Sequence, residues 1–154
     1  MSQFIGFDYL KAGQRIKAKG KLSEDSTFWA WEISVKNPDD QAKIEGVLQR
    51  LDHQKNTLRI FNRDFALPSD IQVKGLQHNF TDLKELETGD VVKLKGKYSA
   101  SNGLMPEKII LKETMGFNVD ELHGAIDKID RARKTLEVTG FTVVVNEKTA
   151  IEGF

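Results

Sequence analysis

The chain has 154 residues with 23 basic and 23 acidic side chains, so its formal charge is zero and no overall field draws it to nucleic acid or to an anionic membrane. It has no cysteine, which excludes disulfides and thiolate metal sites. No apolar run approaches the ~20 residues of a membrane-spanning helix, and Met1–Leu10 lacks the basic and apolar regions of a signal peptide; a cytoplasmic protein, or the mature or excised part of a longer chain, would both read this way.

In chain order, the first distinctive feature is Lys17, Lys19 and Lys21 at alternate positions, as on one face of a strand. Phe28-Trp29-Ala30-Trp31 follows, read as core or packing between units, with Trp29 and Trp31 as a ligand or partner surface the alternative. Val35–Ala42, with Asn37-Pro38-Asp39-Asp40, reads as a linker.

Gly46–Leu51 is a predicted strand, and Asp52–Asn56 a turn. Thr57–Phe61 alternates, with Leu58 and Ile60 on one side and Arg59 and Phe61 on the other. Asn62-Arg63-Asp64 is expected to form a tight hairpin. Phe65–Leu67 continues, is interrupted by Pro68, and resumes at Ile71–Val73. Thr81–Leu86 reads as a short helix capped by Thr81 and terminated by Gly89. Asp90–Tyr98 is a strand with Val92, Leu94, Gly96 and Tyr98 inward and Lys93, Lys95 and Lys97 outward; Ser101-Asn102-Gly103 turns the chain into a last strand, Leu104–Leu111.

The two ends repeat this middle. Phe4–Lys36 matches Phe80–Lys112 without a gap at an offset of 76, placing Gly13 on Gly89 and Lys17, Lys19, Gly20 and Lys21 on Lys93, Lys95, Gly96 and Lys97. Ile44–Leu76 matches Leu122–Phe154 at an offset of 78, with Gly46 on Gly124, Thr57-Leu58 on Thr135-Leu136 and Gly75 on Gly153. Met1 corresponds to Gln77 and Phe154 to Leu76, so the tail stops where the head begins. The expected fold is therefore all-β, two tandem OB-like five-stranded barrels each with one short helix: residues 43–113 form one complete barrel, and residues 1–36 plus 119–154 a second, circularly permuted one assembled from the terminal halves. Closure within one chain, as a monomer, is favoured over exchange of halves in a swapped dimer, because a tethered half is present at a local concentration of ~mM.

The run of glycine followed by two apolar residues, then Thr-Leu-x-Val, then an alternating Val segment ending at Thr-x-Ile, best seen in His123–Ile151, resembles a bacterial family, the domain of unknown function 5666. Leu86–Gly96 matches the later helix-x-Gly-Asp-x-Val-x-Val-x-Gly part of that pattern; Leu10–Gly20 departs from it, with Gln14 and Arg15 in place of Asp and Val. The resemblance implies an OB-like fold, often in envelope-associated or exported proteins, and brings no catalytic residues with it.

Chemistry is sparse. His53, His78 and His123 lack ligand spacing and read as ordinary surface histidines; Asp39-Asp40, Asp127 and Asp130 lack calcium-loop spacing. No nucleophile motif or phosphate loop occurs, so no enzyme activity, metal or cofactor is expected. The favoured function is a non-enzymatic binding or structural module contacting a protein or cell-envelope component. The alternative is single-stranded nucleic-acid binding on a barrel face by Arg59, Phe61, Arg63, Lys93 and Lys95; for the recurring lysines, a solvated face or protection of a sheet edge is the plainer explanation.

Overall fold

The computed structural model describes residues 3–4, 6–39, 41–76, 80–99, 101–113 and 119–153. Met1, Asp40, Gln77, His78 and Phe154, on which parts of the sequence reading fall, lie outside the described residues. The strands are β1 (Gln3–Phe4), β2 (Arg15–Leu22), β3 (Thr27–Lys36), β4 (Gln41–Val47), β5 (Arg50–Asp52), β6 (Thr57–Ile60), β7 (Arg63–Ala66), β8 (Gln72–Lys74), β9 (Phe80–Thr81), β10 (Val91–Ser99), β11 (Gly103–Lys112), β12 (Asp120–Asp130), β13 (Thr135–Val138), β14 (Phe141–Val144) and β15 (Ala150–Gly153). The protein is all-β, and among the described residues its helical elements are single 3-10 turns at Phe7–Tyr9 and Leu83–Glu85. Where a helix was expected at Thr81–Leu86, Asp82 rather than Thr81 caps the turn, accepting from the Lys84 amide. The expected linker shrinks as well, because Val35 and Lys36 belong to β3 and Gln41 and Ala42 to β4.

Five strands from the two ends of the chain close a barrel. β12 pairs β13, β13 pairs β14, β14 runs parallel to β3, β3 pairs β2, and β2 returns to β12. Its interior is filled by Ile16, Ala18, Phe28, Ile33, Leu122, Leu136, Phe141 and Val143, all buried. Beside it, β15 adds parallel to β3 and β1 pairs β15.

The middle of the chain runs through the same series of pairings, except that the counterpart of β12 is split into β4 and β5 and that β7 does not pair β11. β10 pairs both β4 and β11, β8 lies parallel to β11, and β9 pairs β8. β5, β6 and β7, however, form a separate three-stranded sheet. Where β14 is hydrogen-bonded to β3, the corresponding β7 passes β11 across a cleft of about 670 Å³ lined by Phe65, Leu67, Leu104 and Met105. Pro68 and Pro106 stand at this opening, neither with an amide hydrogen to offer a ladder.

Two pairs of glycines permit the close approaches. The ladders β2–β3 and β10–β11 each shift register, between Lys19 and Gly20 and between Lys95 and Gly96, leaving Trp31 and Glu107 as the extra residues. A Cβ on Gly20 would lie 1.9 Å from the Trp29 carbonyl oxygen, and one on Gly96 1.9 Å from that of Met105. A Cβ on Gly46 would meet the Phe61 ring at 2.8 Å, and one on Gly124 the Thr139 hydroxyl at 2.3 Å.

Candidate functional site

The two halves of the molecule meet strand to strand. β4 and β12 pair antiparallel with Glu121 opposite Glu45, Leu122 opposite Ile44 and His123 opposite Lys43. Since β12 also pairs β2 and β4 also pairs β10, four strands run on continuously in the order β2, β12, β4, β10. Ala18, Leu122, Ile44 and Leu94 form one row across them and are buried in the core. The alternate residues therefore share the opposite face. One of its rows reads Lys17, His123, Lys43, Lys95, and the next Lys19, Glu121, Glu45, Lys93. Lys21 and Lys97 extend the lysine columns on the outer strands.

This face is a seam with charges packed into it. Over the junction the side chains are the most covered, Glu45 at 9% exposure, His123 at 10% and Glu121 at 15%, against 27% for Lys17 on the flank. Lys17 Nζ lies 3.5 Å from Glu121 Oε1, Lys93 Nζ 3.6 Å from Glu45 Oε1, and His123 Nε2 3.3 Å from Glu121 Oε1. The hydrogen bond from His123 holds the Glu121 carboxyl well below the ordinary glutamate range, with Lys17 assisting. Burial and the adjacent Glu121 charge push Glu45 up. Burial lowers His123, and burial together with Lys95, Lys93 and Arg15 lowers Lys43. Arg15 crosses the small Ala125 beside it to place Nε 3.4 Å from the Gln41 carbonyl oxygen, and its buried Nη2 has no hydrogen-bond partner among the described residues.

The residues expected to bind are distributed differently from the sequence reading. Lys93 and Lys95 lie on this face, on a central strand; β2 and β10 are each flanked on both sides, so their lysines do not guard a sheet edge. Phe61 does not protrude. β6 ends at Ile60, and Phe61 and Asn62 form the hairpin turn with φ of 55° and 61°, which swings the Phe61 ring inward to 4% exposure. There it packs between Phe28, at 6.0 Å between ring centroids, and Phe141, at 5.2 Å and nearly perpendicular. Arg63 belongs to β7 rather than to the turn; its guanidinium sits 4.0 Å over the Phe141 ring and donates to the Gly140 carbonyl. Arg59 pairs with Asp64 at 3.4 Å. These three side chains thus form no joint surface with Lys93 and Lys95.

Trp29 and Trp31 are not core residues either. They stand out of the barrel at 45% and 54% exposure while Phe28 and Ala30 point in. Trp29 is opposite Lys21, and Trp31 is the extra residue of the bulge beside Lys19. His123, expected at the surface, is buried in the seam. Its position one residue before Gly124 and one after core Leu122 places it inside β12 rather than ahead of it, and the pairing with β4 covers it.

The strands that complete the closed barrel carry the recognisable pattern. Residues 123–154 match the family model of DUF5666, a domain of unknown function. The DUF5666 match takes in β12 from His123 onward and all of β13, β14 and β15, in agreement with the resemblance read from His123–Ile151. No curated protein and no solved structure matches the chain. Among the described residues no helix is long and apolar enough to cross a membrane.

Proposed function

We propose that the chain is a non-enzymatic binding module made of two tandem OB-like units, the second a circularly permuted barrel built from the chain ends, and that its working surface is the basic face over their junction. The ring order of the closed barrel, its parallel β14–β3 seam and its 3-10 turn ahead of β2 support the OB-like reading. The equivalence of every pairing but one between the middle segment and the two ends supports the tandem reading. The pairing of β12 with β2 and of β15 with β3 supports closure within one chain over exchange of halves.

The observation that carries the function is a charge imbalance. In a chain of zero net charge, lysines fill the outer columns of one continuous four-stranded face, with Glu121 and Glu45 held between them. A lysine field of that kind on central strands attracts an anionic macromolecule. Retention on a polyanion matrix at neutral pH tests it. The protein is expected to bind at low salt and elute early in a salt gradient, and Lys19→Gln with Lys95→Gln is expected to abolish retention without changing the fold. A wild-type protein that flows through at low salt would refute the reading.

A further inference from the structure

The basic face borders the only two tryptophans of the chain. Trp29 and Trp31 stand on one strand with Ala30 turned into the barrel between them, so their rings emerge side by side at alternate positions. The neighbouring strand β2 presents Lys17, Lys19 and Lys21, successive lysines separated by roughly 6.8 Å, two residues of an antiparallel strand. Two large exposed apolar rings beside a ladder of cations are costly to leave in water, and nothing in the barrel requires them: the corresponding positions of the middle segment carry Met105 and Glu107.

We infer that the anionic partner is single-stranded nucleic acid, with two bases stacked on Trp29 and Trp31 and the phosphates running along the lysines of β2. The inference rests on the basic face being the working surface, and adds to it the ligand class and the stacking residues. Every base has a flat face to stack on an indole, so this arrangement takes unpaired bases of any sequence, whereas a duplex keeps its base faces hidden. An anionic polysaccharide or a lipid headgroup layer would satisfy the lysines, but one ring opposite Lys21 and a second in the bulge beside Lys19 suit a linear chain that carries flat groups as well as charges. Because Met105 and Glu107 replace the rings in the other half, one such site exists per chain.

Intrinsic fluorescence reports on this site alone, since both tryptophans belong to it. Titration with oligothymidine is expected to quench that fluorescence saturably at one strand per molecule, with affinity falling steeply as salt is raised. Trp29→Ala with Trp31→Ala, followed through a labelled oligonucleotide, is expected to weaken binding at least about tenfold while leaving retention on heparin and the thermal midpoint unchanged. Three comparison ligands separate the readings. If duplex DNA, heparin or phosphatidylglycerol vesicles bind as tightly as oligothymidine and the double tryptophan variant binds all of them normally, the single-strand inference is overturned and the basic-face reading survives. If none of these ligands binds in a salt-dependent manner, both fall.

Discussion

Removing the Phe61 ring should strike the point where the middle of the chain is fastened to its two ends. Phe61 is supplied by the β6–β7 turn, Phe28 by β3 and Phe141 by β14, and the three rings pack on one another. The ring is 4% exposed, so Phe61→Ala leaves a cavity that costs about 3–5 kcal/mol, a large share of the roughly 5–15 kcal/mol that holds a domain folded. The residue also sits at φ 55°, a conformation that disfavours any β-carbon by about 1–2 kcal/mol. Phe61→Gly removes that penalty along with the ring and should be no less stable than Phe61→Ala. The cavity can be checked from the opposite wall. Alanine at Gly46 would put its Cβ 2.8 Å from the Phe61 ring, an overpacking cost of about 1–3 kcal/mol. That cost should largely vanish when Phe61 is already alanine, giving a coupling of about 1 kcal/mol or more in a double-mutant cycle. Urea unfolding followed by far-ultraviolet circular dichroism measures all four proteins. If Phe61→Ala costs less than about 1 kcal/mol, or if Gly46→Ala costs the same in both backgrounds, the inward ring is wrong.

Other outcomes follow from the same geometry. Gly20→Ala and Gly96→Ala each aim a methyl group at a backbone carbonyl 1.9 Å away, so each should destabilise by about 3 kcal/mol or more, whereas Gly6→Ala, with open space around it, should change the thermal midpoint little. Glu45 has its pKa raised in the fold by burial and by Glu121, with Lys93 and Lys112 opposing. Its contribution to stability is therefore full below the unfolded glutamate value and is lost as pH rises through the folded one. Glu45→Gln should be more stable than wild type at neutral pH, and the advantage should shrink on acidification; a stability difference independent of pH would contradict this. Glu121 shifts the other way, held down by His123 and Lys17, so what it contributes is present above the unfolded value and is lost only in strong acid. Protonation of Glu45 makes the face more positive, so polyanion affinity should rise as pH falls from neutral toward mildly acidic, and Glu45→Gln should bind more tightly than wild type at neutral pH. Salt-gradient elution at two pH values measures it.

Much of this arrangement is readable before folding, for reasons that differ from element to element. Lys93, Lys95 and Lys97 alternate with Val92, Leu94 and Gly96, and that period of two settles which side of β10 faces water. The gapless matches put β2 on β10 and β12 on β4, and the corresponding residues make corresponding pairings. Alternation also misleads at Phe61: counted from Leu58 and Ile60 the ring should point out, but the strand stops at Ile60 and a left-handed turn reverses the count. Its counterpart Thr139, immediately before Gly140 and also at positive φ, marks the turn one residue earlier than Asn62-Arg63-Asp64 suggested. The β4–β12 junction leaves no trace in the repeat, because it joins one copy to the other and so depends on residues far apart in the chain. Its place between Leu122 and Gly124 puts His123 inside a strand, but what covers it is the pairing with β4. For Trp29 and Trp31, an apolar run suggested interior packing, but with Phe28 and Ala30 turned inward the alternation of β3 leaves both rings on the wet side.

The first and last strands lie against each other, with Gln3 opposite Gly153 and Phe4 opposite Glu152. Polypeptide therefore enters and leaves this molecule through one doorway. A neighbouring domain fused at either end would hang from the same spot, and the whole molecule could be spliced into a surface loop of another protein as a guest, needing a gap there no wider than the spacing of two paired strands, ~4.8 Å.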